Sequence, residues 1–126
     1  MNTRTDRPVF LGLRKIRMPV MAVVSILHRI SGVGMVLLIP LLVYLFALSL
    51  RSAQDFQRVL DLLNSVPAQL AGVLLIWLLA HHFFAGVRFL LLDMDRGVEK
   101  SVARKSAWAV HAAAALATLL IAGGLL

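Results

Sequence analysis

Two short stretches hold most of the residues that could do chemistry, "SILHRISG" (residues 25–32) and "HHFFAGVR" (residues 81–88). An imidazole can bind a metal or move a proton, and a guanidinium can hold an anionic or carbonyl oxygen through parallel N–H groups. A neutral histidine in apolar surroundings is a good axial ligand for porphyrin iron. His28 and Arg29 could hold the propionates of such a group, or hydrogen-bond a quinone carbonyl and help deliver protons. Ser25 lies four residues before Arg29, so its hydroxyl can serve the same ligand. Each residue also has a structural alternative. Arg29 could reach the membrane interface or pair with an acid of a partner, Ser25 could bond its own helix, and a histidine could bond a neighbouring helix's carbonyl.

What must position these groups is a set of membrane helices. The chain has 126 residues, 60% of them hydrophobic, and a mean hydropathy of +0.88. An ordinary soluble domain is closer to half apolar. Three apolar stretches, about 21–50, 68–92 and 107–126, are each long enough to cross a bilayer, which takes about 20 residues of helix. None alternates with the period of two that barrel strands require. The expectation is an all-α integral membrane protein, one domain over 1–126, with a 20-residue arm ahead of three transmembrane helices.

Depth then explains why the polar residues are informative. His28 lies nine residues beyond Pro19, or ~14 Å along a helix, and His82 lies eleven residues before Asp93, or ~16 Å. Arg88 is shallower, at ~8 Å. The two helices run in opposite directions, so Ser25, His28, Arg29, His82 and Arg88 fall in the same half of the bilayer. A central arginine costs roughly 2.5–3.5 kcal/mol on the lenient insertion scale, which a ligand or partner has to offset.

The adjacent histidines His81 and His82 point about 100° apart on a helix, so they cannot both face one ligand. His82 shares a stripe with Gly86, whose missing side chain would leave room for a flat ligand. His81 stands above Ala85 and Arg88. Spacing therefore favours His82 as the iron ligand. His111, beside Trp108 and about one turn inside the third span, reads as an interfacial residue.

Net charge is +7, but its placement points away from nucleic acid. Arg4, Arg7, Arg14, Lys15 and Arg17 precede the first span, and Arg96, Lys100, Arg104 and Lys105 fill the second loop. Basic residues collect on the cytoplasmic side during insertion, which puts the N-terminus and the second loop there. There is no cysteine, so this chain supplies neither disulfides, iron–sulfur ligands nor a covalent haem attachment. The arm carries Val9, Phe10, Leu11, Leu13 and Ile16 and is expected to lie on the bilayer surface or against a partner. Pro19 suits the first turn of helix one, and Pro40 is expected to bend it. The first loop is expected to hold a short amphipathic turn. The second, "DMDRGVEKSVARKS", makes its flanking helices antiparallel neighbours. Alanines 112–115 would admit a close-packed helix.

Taken together, "RPVFLGLRKIRMPV", "SILHRISGVG" and "HHFFAGVRFLLLD" resemble the cytochrome b556 membrane anchors of succinate dehydrogenase, respiratory complex II. The likeness spans residues 7–97 in order and spacing. It implies that Ser25 and Arg29 line a ubiquinone pocket, that His82 is one axial ligand of haem b, and that His28 stands near the haem propionates. Arg88 would hold a propionate or buttress the iron–sulfur subunit. It implies partners as well: a second hydrophobic anchor subunit supplying the other haem ligand, an iron–sulfur subunit and a flavoprotein, assembled in a bacterial inner membrane. Two departures stand out. Many relatives have a histidine after the arginine of helix two, where this chain has Phe89. Relatives often read Asp-x-Gly at the helix end, where this chain has "DMDRG", leaving Asp93 and Asp95 both open as the equivalent acid.

The function implied is electron transfer from the iron–sulfur subunit to quinone, as a non-autonomous subunit with no flavin or succinate chemistry of its own. The alternatives are the anchor of a related fumarate reductase, a small proton-coupled transporter or channel subunit using Arg29 and the histidines as a relay, and a structural anchor without cofactor.

Overall fold

A computed structural model describes residues 17–125. The arm residues 1–16, with the apolar cluster from Val9 to Ile16 and most of the first motif, lie outside the described residues. Four helices follow one another, α1 (Val20–Ser49), α2 (Ala53–Leu63), α3 (Val66–Asp93) and α4 (Lys100–Leu125). Of these, α1, α3 and α4 are long and apolar enough to cross a membrane.

Proline and serine set the starts. Pro19 is the N-cap of α1, one position ahead of its expected place inside the first turn, with extended backbone at φ −65° and ψ 151°. Its carbonyl accepts from the N–H groups of Ala22 and Val23 at 2.9 and 3.2 Å. Pro40 lies inside α1. The expected turn in the first loop is a full helix, α2, because Ser52 caps it by accepting from the Asp55 N–H at 3.0 Å. Asp55 also suits the positive end of that helix and pairs with Arg58 at 3.0 Å. Only Val59 of α2 is buried. Pro67 sits in the first turn of α3, where its missing N–H leaves no bond unmade.

The turn out of α3 runs through "DMDRG". The Arg96 N–H bonds the Leu91 carbonyl at 2.9 Å and the Asp95 N–H bonds the Leu92 carbonyl at 3.0 Å. These are the two bonds of a Schellman ending, whose C′ residue must be left-handed and is usually glycine. Asp95 occupies that place with φ 56°. Asp95 thus holds the left-handed place that glycine usually fills, and Asp93 is the last residue of α3. Gly97, at φ 74°, supplies the second left-handed residue of the same turn.

α4 begins at Lys100, about seven residues before the apolar run, so the second loop shrinks to residues 94–99. The polar segment from Lys100 to Ser106 is helical because Ala103 and Ala107 already face the interior, at 6% and 0% exposure. Further along, Val110, Ala114, Thr118 and Ala122 continue that stripe. Small side chains of this kind let helix backbones approach closely. Thr118 keeps its hydroxyl satisfied by donating to the Ala114 carbonyl at 2.7 Å. Within the alanine run only Ala114 is buried, while Ala112 and Ala115 face outward.

Val24 of α1, Ala85 of α3, and Ala107 and Val110 of α4 form the core where the three long helices meet. Gly34 admits the Leu78 side chain, since a Cβ there would lie 3.5 Å from Leu78 Cδ1. Cover is uneven. Only 6% of the α1 span is buried, against 28% of the α4 span. Ile30, Val33, Val36, Leu37 and Phe46 of α1 are all more than half exposed, so that helix has to be covered by lipid or by other chains.

Candidate functional site

On α1, His28, Ser31 and Gly32 share one face (i, i+3, i+4), and on α3, His82, Gly86 and Phe89 do the same (i, i+4, i+7). The antiparallel packing of α1 on α3 brings these faces together at a common level. The His28 ring stacks on the His82 ring with centroids 4.1 Å apart and planes within 13°. Phe89 meets His28 edge-on at 5.2 Å.

Glycine makes this approach possible, in a way that corrects the sequence reading. The space beside Gly86 is taken by His28, since a Cβ on Gly86 would lie 3.6 Å from His28 Nε2. It is not reserved for a flat ligand against His82. The glycine that abuts His82 is Gly32, where a Cβ would lie 3.1 Å from His82 Cε1, tighter than ordinary contact. His82 instead lines an apolar groove of about 600 Å³ between α1 and α3, walled by Gly32, Met35, Ile39, Leu75 and Leu79 among others.

The His82 ring is held at one nitrogen. Its Nδ1 lies 3.1 Å from the His28 carbonyl oxygen and 3.1 Å from Ser31 Oγ. Ser31 is fully buried and donates its own proton to the His28 carbonyl at 2.8 Å. His82 Nε2 makes no hydrogen bond among the described residues. The structural alternative for a membrane histidine, a bond to a neighbouring helix's carbonyl, is therefore realised at Nδ1 and leaves the second nitrogen available. The two readings do not compete, because an imidazole has two nitrogens.

The other face of α3 carries His81, Ala85 and Arg88, all buried against the rest of the chain. His81 is fully buried, and neither ring nitrogen has a hydrogen-bond partner among the described residues. Its ring lies 5.3 Å from His111 and 5.4 Å from Trp77. His111 is half-buried and packs against both His81 and Trp108. The early start of α4 places it eleven residues from Lys100, ~16 Å along the helix. The four histidines form two stacked or tilted pairs on either side of α3.

Arg88 is 6% exposed. Its Nε donates to Ser106 Oγ at 3.0 Å and one terminal nitrogen donates to the Ala103 carbonyl at 3.1 Å. Its guanidinium also lies 5.5 Å from the Phe89 ring centre. These bonds tie α3 to α4 rather than to the His28–His82 pair. Ser25 is half-buried and Arg29 exposed, and neither lines the α1–α3 groove. Arg29 sits on an open face beside exposed Ile26 and Ile30. Of the residues singled out from sequence, the structure joins His28 with His82 and leaves Ser25, Arg29 and Arg88 apart from them.

Two participants were not assigned roles from sequence. Ser31 could have been found from its i+3 spacing to His28. His111 could not, because its register depends on where α4 starts.

Comparison with known proteins bears on the whole chain. The family described as succinate dehydrogenase/fumarate reductase transmembrane subunit matches residues 3–121. The chain is 36% identical over 115 residues to a protein of Coxiella burnetii (strain RSA 493 / Nine Mile phase I) named succinate dehydrogenase cytochrome b556 subunit, covering 90% of this chain and 92% of that one. It is 29% identical over 117 residues to the protein of the same name in Paracoccus denitrificans, covering 93% and 90%.

Proposed function

This chain belongs to the succinate dehydrogenase/fumarate reductase transmembrane-subunit family, a membrane anchor of that complex, and on that premise we propose that it binds haem b and ubiquinone and serves electron transfer to the quinone. The observation that carries the haem assignment is the state of His82. Metal-ligating histidines nearly always bond a carbonyl, carboxylate or water through their second nitrogen. His82 Nδ1 has such partners in the His28 carbonyl and Ser31, its Nε2 is left for iron, and the ring borders a groove with apolar walls. The donor set thus fits a haem iron. Haem b, when bound, supplies a one-electron store. The second hydrophobic anchor subunit would cover the open α1–α3 face and supply the other haem ligand.

His28 packs its ring against His82 and leaves its half-exposed edge for a propionate. Arg88, on α3 and bonded to Ser106 and the Ala103 carbonyl, would hold a propionate or buttress the iron–sulfur subunit through its remaining N–H groups. Ser25 and Arg29 are the proposed quinone-binding residues. Their exposure fits a pocket completed by partner chains: a guanidinium on an open apolar face acquires its partner only on assembly. There Arg29 would donate to a quinone carbonyl and Ser25 would orient it, with the iron–sulfur subunit as electron source and the flavoprotein beyond it. The basic residues around the α3–α4 turn support a cytoplasmic placement of this end in a bacterial inner membrane.

The test is gentle detergent extraction followed by subunit identification and a reduced-minus-oxidised spectrum. A b-type haem spectrum in a complex with iron–sulfur and flavoprotein subunits is expected. A complex without redox-active haem bands would overturn the cofactor assignment and leave a structural anchor.

A further inference from the structure

We propose that Ser31 is a positioning residue that fixes the tautomer and orientation of His82, so that Nδ1 carries the ring proton and Nε2 presents its lone pair. The proposal rests on the reading of His82 as an iron ligand. It follows from counting protons. A carbonyl oxygen has none, so the 2.8 Å contact between Ser31 Oγ and the His28 carbonyl requires the serine to donate. That uses the only proton of the hydroxyl. What Ser31 then offers to His82 Nδ1, at 3.1 Å, is a lone pair. The His28 carbonyl, also at 3.1 Å, offers another. Two acceptors facing one ring nitrogen are satisfied only if that nitrogen bears hydrogen, shared between them as a three-centre bond.

In the alternative tautomer Ser31 would have to turn its single proton to the bare Nδ1, leaving the His28 carbonyl, 2.8 Å from Ser31 Oγ and 3.1 Å from Nδ1, with no donor from either; with Ser31 fully buried, an unmade hydrogen bond there costs about 1–3 kcal/mol. The ring has little freedom to avoid this. The α1 backbone at Gly32 runs so close to Cε1 that a Cβ there would lie 3.1 Å away, and His28 covers one face at 4.1 Å. Ser31 is therefore the side chain that converts a plain helix–helix contact into a one-handed ligand.

The test uses the assembled complex with Ser31→Ala and Ser31→Thr, read by haem midpoint potential and by ¹⁵N resonances of the histidine rings in complex prepared without haem. Removing one acceptor lowers the basicity of the ring, so Ser31→Ala should raise the potential, mix the His82 tautomers and weaken haem retention roughly 10-fold, the low end for an outer partner of a metal ligand. Ser31→Thr, which keeps the hydroxyl, should restore both signals. If Ser31→Ala fails to assemble, Ser31→Cys, a weak acceptor of similar size, should show the same direction of change. Wild-type potential and a single Nδ1–H tautomer in Ser31→Ala, beside a His82→Ala complex that lacks haem, would overturn this proposal alone. Retention of haem bands in His82→Ala would remove the parent reading and this one with it.

Discussion

The imidazoles of His28 and His82 lie face to face, 4.1 Å apart and 13° from parallel. One comes from α1 and the other from α3, and their sequence separation makes the contact a register mark for the whole α1–α3 interface. Because the His28 backbone also accepts from the His82 ring, side chain and main chain of one residue both define where the other points.

His82→Ala should abolish the b-type haem bands of the assembled complex, whereas His81→Phe should leave them in place. His81 has two buried nitrogens without partners among the described residues, so an apolar ring of similar shape is expected to be neutral or mildly stabilising. Difference spectra and thermal denaturation of both variants check this. Loss of the haem spectrum only in the His81 variant would reverse the assignment.

Arg29→Ala should reduce quinone reduction by roughly 10- to 100-fold, the worth of a hydrogen bond to a charged group at ~1.5–3 kcal/mol. Succinate oxidation by an artificial acceptor, measured on the same preparation, should stay near the wild-type rate. Parallel loss of both activities would place Arg29 in assembly instead of the quinone pocket.

Gly32→Ala and Gly86→Ala should differ. A methyl at Gly32 would meet His82 Cε1 at 3.1 Å and force the ring to move, while one at Gly86 would rest at ordinary contact, 3.6 Å from His28 Nε2. The expected result is a shifted haem spectrum and about 1–3 kcal/mol of destabilisation for Gly32→Ala, with a smaller effect for Gly86→Ala. Equal spectra would mean that His82 has slack.

Asp95→Gly should stabilise the complex by about 1 kcal/mol, since Asp95 holds φ 56° where glycine is free of the steric penalty. Thermal unfolding of the detergent-solubilised complex measures it. A lowered midpoint would show that the Asp95 side chain contributes more than its backbone strain costs.

The three spans were legible because each is a long and mostly apolar run, and the common level of His28 and His82 followed from counting residues from Pro19 and Asp93. The different facing of His81 and His82 was legible as well, since a 100° step between neighbours forces them onto different faces. What one helix's spacing could not show was which neighbour fills a gap. The room beside Gly86 went to His28 from α1, a fact of helix pairing and not of helix periodicity. The start of α4 was hidden for a related reason. Lys100, Arg104 and Lys105 read as loop residues, yet Ala103 and Ala107 between them pack inward, and that shift carried His111 to the level of His81. For Arg88 the resemblance implied a propionate or a contact with the iron–sulfur subunit, and its bonds to Ser106 and Ala103, which join α3 to α4, could not be read from the spacing of one helix.

The nearly bare surface of α1 also makes Arg29, exposed among apolar neighbours, an expensive guest of the hydrocarbon until something covers it. The free energy recovered when that face is covered is a built-in driving force for association.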